Sequence, residues 1–297
     1  MQAMNNETLG DKLFDWAVHA LLALVCVIVL YPLIFVLVAS FSSPDAVMRG
    51  EVWLWPKGLT WVGYTKIFQN HEILTGYMNT ILYTVIGTSI NLVMSIAAAY
   101  PLSRKDLYGR NVISAMMVFT MFFSGGMVPT YLLIKNLGML NTMWALIIPG
   151  AVSVYNVLIM RTFFQNGIPY EMQEAAAIDG CSNMSTLIRI VLPLSMPIIA
   201  VMILFYSVGH WNAYFSALMY LTDRDKYPLT LFLREILIQG QMQEMQGIGD
   251  DSHANAVMES EAIKYAVVIV ANLPVLMLYP FLQKYFVKGV MIGAIKG

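Results

Sequence analysis

The residues best suited to chemistry in this chain of 297 residues lie in one polar stretch, NGIPYEMQEAAAIDGCSNMSTLIRIVLP, at positions 166–193. Glu174 and Asp179 are carboxylates able to pair with basic groups. Ala175 and Ala176 carry almost no side chain, so a second protein surface can come close to the backbone there. This combination suits docking rather than bond-making. A second set lies in apolar runs: Tyr206, His210, Trp211, Asn212 and Tyr214 in one, with Asn156 and Asn91 as weaker candidates in others. Aromatic faces with hydrogen-bonding tips suit a sugar. Polar groups in apolar runs face a protein interior or a water-filled path, because lipid makes them costly. Hydrogen bonding between helices is the competing use of the same groups. His210 alone is poor evidence for a proton relay. The apolar runs hold no metal-ligand cluster, catalytic triad or paired carboxylates. The chain has no G-x-x-x-x-G-K-[ST] phosphate loop, so it is not expected to hydrolyse ATP itself.

Local signals shape the polar stretch into a helix–turn–helix. Pro169 suits a first helical turn, where its missing N–H would be unpaired anyway. A short helix over 170–179 follows, and Gly180 stands where a left-handed residue ends it. Ser182 can cap a second helix. In that helix Leu187, Ile188, Val191 and Leu192 form an apolar face, and Pro193 ends it or leads into the next run. From these signals alone, a docking element and an ordinary amphipathic hairpin at a membrane surface fit equally.

The surroundings are those of a membrane protein. Hydrophobic residues make up 58% of the chain and charged residues 12%, against about 25% charged in soluble proteins. Too few charges remain to cover a soluble core. A net charge of −1 gives no reason to expect nucleic acid. Cys26 and Cys181 suggest neither a disulfide nor a metal site. A bilayer core about 30 Å thick needs about 20 helical residues. Six runs meet that need: 16–41, 78–102, 112–134, 143–164, 194–221 and 263–286. The first lacks a clear small-residue cleavage site and is read as a retained span. Pro32, Pro129, Pro149, Pro197 and Pro274 lie within the runs and predict local bending. Phe123-Ser124-Gly125-Gly126 also lies within a run, where glycines permit close helix packing.

Six spans place both termini on one side. The short connection 103–111 carries Arg104, Lys105 and Arg110, and the tail carries Lys284, Lys288 and Lys296. Basic residues in short connections favour the cytoplasmic side. Loops 42–77 and 222–262 then face outward. The first holds Trp53, Trp55 and Trp61, spaced like interfacial anchors, with sugar stacking as the lesser alternative. The second is rich in Gln, Glu and Asp and is read as solvated or as a contact for an external partner. No internal repeat is evident.

The polar stretch also carries a resemblance. Glu174-Ala175-Ala176, three residues, Gly180, nine residues, Ile190, one residue, then Leu192-Pro193 resembles the EAA loop of binding-protein-dependent ABC importer permeases. EAAAIDG followed by RIVLPLSMPII, and the ending FLQKYFVKGVMIGAIKG, are similar to the carbohydrate-uptake branch. Within it the likeness is to polysaccharide- and oligosaccharide-type permeases, which include an alginate importer subunit. The resemblance covers essentially the whole chain.

It implies an all-α, polytopic membrane protein with six transmembrane helices and a type I ABC importer permease fold. The whole of 1–297 would be one permease domain in the bacterial cytoplasmic membrane, with a cytoplasmic coupling loop at 165–193. Glu174, Ala175, Ala176, Asp179 and Gly180 would contact a separate ATPase dimer, which binds ATP and Mg. The tail 288–297 would either reach that interface or fray. The other implied partners are a second, homologous permease and an extracytoplasmic solute-binding protein. The substrate would be a sugar, and the chain would need no cofactor of its own. Rival readings are an ABC permease for a non-sugar solute, a proton-coupled secondary transporter and an intramembrane enzyme. The last two want inverted repeats, buried ionisable groups or a catalytic constellation.

Overall fold

The computed structural model describes residues 9–246, 263–277, 280 and 283. The described residues are helical with turns and hold no strand. Of the expected sixth run, residues 263–277, 280 and 283 are described, and the tail after it and residues 247–262 of the second outer loop lie outside the described residues. Two compact units emerge: 1–70 with 235–271, and 71–234 with 272–297.

The first unit opens with α1, Leu9–Ser40, a 32-residue helix. From Trp16 to Ser40 it carries no Asp, Glu, Lys or Arg, and its Leu and Val side chains are exposed along nearly its whole length. An apolar surface of this kind is stable in lipid, not in water. The turn α2, Pro44–Met48, and helix α3, Val62–Gln69, follow. Between them the chain is pinned by Ser43 N–H to the Lys57 carbonyl (2.9 Å) and by Thr60 N–H to the Phe41 carbonyl (3.0 Å). Gly58, at φ +65°, lies so close to Ser43 that a Cβ there would sit 2.8 Å from its Oγ. Phe41 packs against Trp61 and Tyr64 with ring centroids 5.0 and 5.1 Å apart. Trp53, Trp55 and Trp61 are all exposed, as headgroup-level anchoring requires.

The second unit is built on α4, His71–Ser103, which is 33 residues long. Its buried residues include Gly76, Thr80, Thr84, Gly87, Thr88, Asn91, Ser95 and Ala99, a seam of small and polar residues at helical spacing. Such seams let membrane helices approach closely, where apolar bulk gives no preference for protein over lipid. Helices α5 (Arg110–Phe122), α6 (Met127–Asn136), α7 (Trp144–Ile147), α8 (Val154–Asn166), α9 (Tyr170–Ile178), α10 (Asn183–Thr186) and α11 (Leu192–Leu194) follow. Then come α12 (Met196–Trp211) and α13 (Phe215–Tyr220). Two further helices fall mostly within the first unit's 235–271: α14 (Leu229–Gln246) and the last described helix, α15 (Ile263–Met277), which is apolar but short. The main core joins α4, α8 and α12 through Ala99, Val157, Met160, Phe164, Met202 and Tyr206.

Only α1 and α4 are single helices long and apolar enough to cross a membrane among the described residues. Three further candidates are bent pairs: α5 with α6 at 108°, the segment Trp144–Gly150 with α8 at 50°, and Asn183–Leu194 with α12 at 83°. Pro149 and Pro197 sit at the second and third bends, where a missing N–H costs least. The first bend departs from the expectation of helix-packing glycines. Gly125 and Gly126 are exposed, and Gly126 takes φ +87° at the start of α6. Its left-handed backbone turns the chain, and no side chain packs on it.

Candidate functional site

The polar stretch folds as a compact projection. Pro169 stands just before α9 with extended backbone, one position ahead of the expected first turn, and its carbonyl accepts from Met172 N–H at 3.2 Å. The helix ends in a complete Schellman motif. Gly180, at φ +75°, donates to the Ala177 carbonyl (3.1 Å), and Cys181 donates to the Ala176 carbonyl (2.9 Å). Ser182 then caps the next helix, its Oγ accepting from Ser185 N–H at 3.3 Å. Five residues of π-helix, Leu187–Val191, carry the chain into α11. Leu187 and Val191 are buried in the main core, Leu192 is half-buried, and Ile188 is 56% exposed, so the expected apolar face is only partly used.

The faces of α9 are unequal. Glu174, Ala175, Asp179 and Gly180 are exposed, whereas Ala176 is 4% exposed and turned into the protein. Gln173 is buried beside it. Ile178, which composition alone did not single out, is 86% exposed, and Met172 and Met184 are also exposed. The outward surface is therefore three carboxylates, Glu171, Glu174 and Asp179, two alanines, Ala175 and Ala177, and the apolar side chains of Met172 and Ile178. Lys105 lies 4.5 Å over the Tyr170 ring, and Gln165 Nε2 donates to the Leu102 carbonyl at 3.4 Å. The basic connection 103–111 and the projection thus share one end of the unit. In that connection Arg104 grips Asp106 at 2.8 and 2.9 Å, which holds the Asp106 carboxyl below the usual carboxylate range.

The span candidates divide into two groups. Tyr206 shares a hydrogen bond of 2.6 Å with Ser95 of α4. His210 Nε2 meets Asn91 Oδ1 at 2.6 Å, and Asn91 Nδ2 donates to the Gly150 carbonyl at 2.6 Å. The imidazole lies directly over Gly87, where a Cβ would be 2.5 Å from Nε2. Trp211 is buried, edge-on to Tyr77 at 5.8 Å. These three side chains tie α12 to α4. Asn212 and Tyr214 are exposed in the break between α12 and α13, with Asn212 Nδ2 donating to the Val208 carbonyl (2.9 Å). Asn156 is buried in the first turn of α8, its N–H donating to Ser153 Oγ at 3.5 Å. Asn91 links α12 to the Gly150 carbonyl through its two hydrogen bonds. Its four-residue step from Ser95 and Gly87 in sequence is the signal that points to it.

At the other end of α4, residues 222–226 are clasped. Asn141, at φ 59°, accepts from the N–H groups of Thr222 and Asp223 at 3.1 Å each and donates to Asp223 Oδ2 at 2.7 Å. Lys226 bonds the same carboxylate oxygen at 2.8 Å, and Arg224 grips Glu72 at 2.8 and 3.0 Å. Lys226 first, then Asn141, hold the Asp223 carboxyl below its ordinary range.

The chain as a whole is similar to known proteins. The model of the family described as "Binding-protein-dependent transport system inner membrane component" matches residues 73–292. The chain is 41% identical to the polygalacturonan/rhamnogalacturonan transport system permease protein YtcP of Bacillus subtilis (strain 168), over 97% of this chain and 99% of that protein. It is 40% identical to protein LplC of the same organism, over 100% and 99%. It superposes with a TM-score of 0.83 at 30% identity on a chain of the crystal structure of a bacterial ABC transporter involved in the import of the acidic polysaccharide alginate, covering 94% of this chain and 98% of that one.

Proposed function

The chain belongs to the inner-membrane components of binding-protein-dependent transport systems, and from that premise we propose that it imports sugar polymers or their fragments as one permease subunit of an ATP-driven ABC importer. As a member of that family it is a transport subunit, and ATP hydrolysis belongs to a separate ATPase. Its partners are that ATPase, a second permease and an extracytoplasmic solute-binding protein. ATP and Mg sit on the ATPase dimer. The sugar assignment draws on the names of the similar permeases and on the alginate importer.

The observation that carries the coupling role is the outward face of α9. A short helix closed by a Schellman turn presents Glu174, Ala175, Ile178 and Asp179 while Ala176 anchors it inward. In this reading Glu174 pairs with a basic group of the ATPase, Ile178 fills an apolar hollow, and Gly180 keeps the turn tight. Loop 165–193 and connection 103–111 face the cytoplasm with both termini. Six spans cross the membrane, three of them bent, and 42–77 and 222–262 face outward. Asn212 and Tyr214, exposed at the break beyond α12, contact the substrate path directly. Tyr206, His210 and Trp211 shape the path's wall by holding α12 against α4, and Asn156, buried in the first turn of α8, lines the same interior.

The test is reconstitution of the full complex in vesicles, with ATPase activity and sugar uptake measured with and without the solute-binding protein. Co-purification of the ATPase and stimulation by the loaded binding protein are expected. Uptake by this chain alone, driven by an ion gradient, refutes the reading.

A further inference from the structure

Two arginines at the end of the unit that carries connection 103–111 form no ion pair among the described residues. Arg161, near the C-terminal end of α8, donates through Nη1 to Ser114 Oγ at 2.9 Å, and its buried Nε has no acceptor. Arg110, the first residue of α5, donates through Nη1 to the Arg104 carbonyl at 3.2 Å. Each guanidinium carries five N–H donors, and each of these two meets only one neutral oxygen. Asp106 is the nearest acid in sequence, and both of its oxygens are taken by Arg104. Among the described residues no carboxylate forms an ion pair with Arg110 or Arg161. The two are joined through Ser114, whose Oγ accepts from Arg161 Nη1 at 2.9 Å and donates to the Arg110 carbonyl at 2.7 Å. Two like charges held together beside a low-dielectric core call for an anion between them.

We propose that Arg110 and Arg161 hold the phosphate of an anionic phospholipid, with an acyl chain lying along α5. A phosphate oxygen pair matches the planar guanidinium fork, and basic pockets between membrane helices take anionic headgroups. The flanking surface selects lipid over free phosphate. Val112, Ile113 and Met116 are exposed on α5 just beyond Arg110, and Tyr108 is 99% exposed in the connection just before it, an amphipathic ring of the kind that favours the headgroup region. The proposal rests on the reading that α5 and α8 lie in the membrane.

The test is native mass spectrometry of the purified complete complex offered phosphatidylglycerol or phosphatidylcholine. The wild type should prefer phosphatidylglycerol by roughly 25-fold, about fivefold for each arginine. The R110Q/R161Q double variant should lose the preference. R161K, which keeps the charge without the fork, should fall between, and K135Q, at an exposed lysine elsewhere, should match the wild type. Equal retention of the two lipids by the wild type overturns the proposal, as does an unchanged preference in the double variant or an equal loss in K135Q. Glycerol phosphate binding as tightly as the phospholipid overturns the lipid as the source. If the double variant fails to assemble, the wild-type comparison still decides. A complex that transports but shows no lipid preference sinks this proposal alone, whereas lipid preference without a co-purifying ATPase sinks only the coupling reading.

Discussion

The coupling role proposed for the loop depends most directly on backbone geometry at Gly180. Its φ of +75° lies in the left-handed region, and a Cβ built there meets nothing within 4 Å. Gly180→Ala therefore introduces no clash, and its whole cost is conformational, about 1–2 kcal/mol for an L-residue forced into that region. That corresponds to a loss of about 5–30-fold in the population holding the Schellman turn. Asn tolerates the left-handed region better, so Gly180→Asn should cost less. Gly180→Trp pays the same backbone cost and adds bulk in open space, which is harmless in the isolated chain and obstructive only if a partner surface covers the turn. The assay is sugar uptake together with binding-protein-stimulated ATPase activity in the reconstituted complex. The expected order of coupling is Gly, then Asn, then Ala, with Trp lowest and clearly below Ala. Equal activity of the Trp and Ala variants would refute docking at this turn. Wild-type activity in all three would refute the conformational argument as well.

Two other expectations follow from packing and charge. Gly87→Ala places a Cβ 2.5 Å from His210 Nε2, so it should destabilise the α4–α12 contact by about 1–3 kcal/mol, as overpacking does, seen as a lower thermal midpoint of the detergent-purified complex; an unchanged midpoint would show that the imidazole moves aside freely. The Asp223 carboxyl is held below its ordinary range by Lys226 and Asn141, so the clasp's stability is present above the ordinary carboxylate pKa and lost as pH falls through the depressed value. Amide exchange at residues 222–226 should quicken over that acid window in the wild type and show no such step in D223N, and a step that persists in D223N would assign it to another group.

The loop was the most legible part of the chain. Pro169, Gly180 and Ser182 act on backbone groups at most a turn away, and each stands within one position of where its chemistry placed it. What was not legible in the same loop is which way α9 faces. EAAA reads the same on every side, and only packing turns Ala176 inward and leaves Ile178 outside. The break at Gly125–Gly126 was hidden for a related reason: the run around it is apolar throughout, so composition favours a straight span and a single left-handed glycine overrides it.

By itself the sequence determined the solvent, the number of apolar runs and the local ends of α9, because low charge, run length and cap residues act without reference to distant parts of the chain. The tertiary structure decided partners. His210 meets Asn91, and Tyr206 meets Ser95, across more than a hundred residues. In water, hydrophobic periodicity would have revealed which face of α4 or α12 is buried. In lipid an apolar face is content inside or outside, so the periodicity carries no such information, and the buried face is chosen by small residues and hydrogen bonds that appear only once the helices are packed.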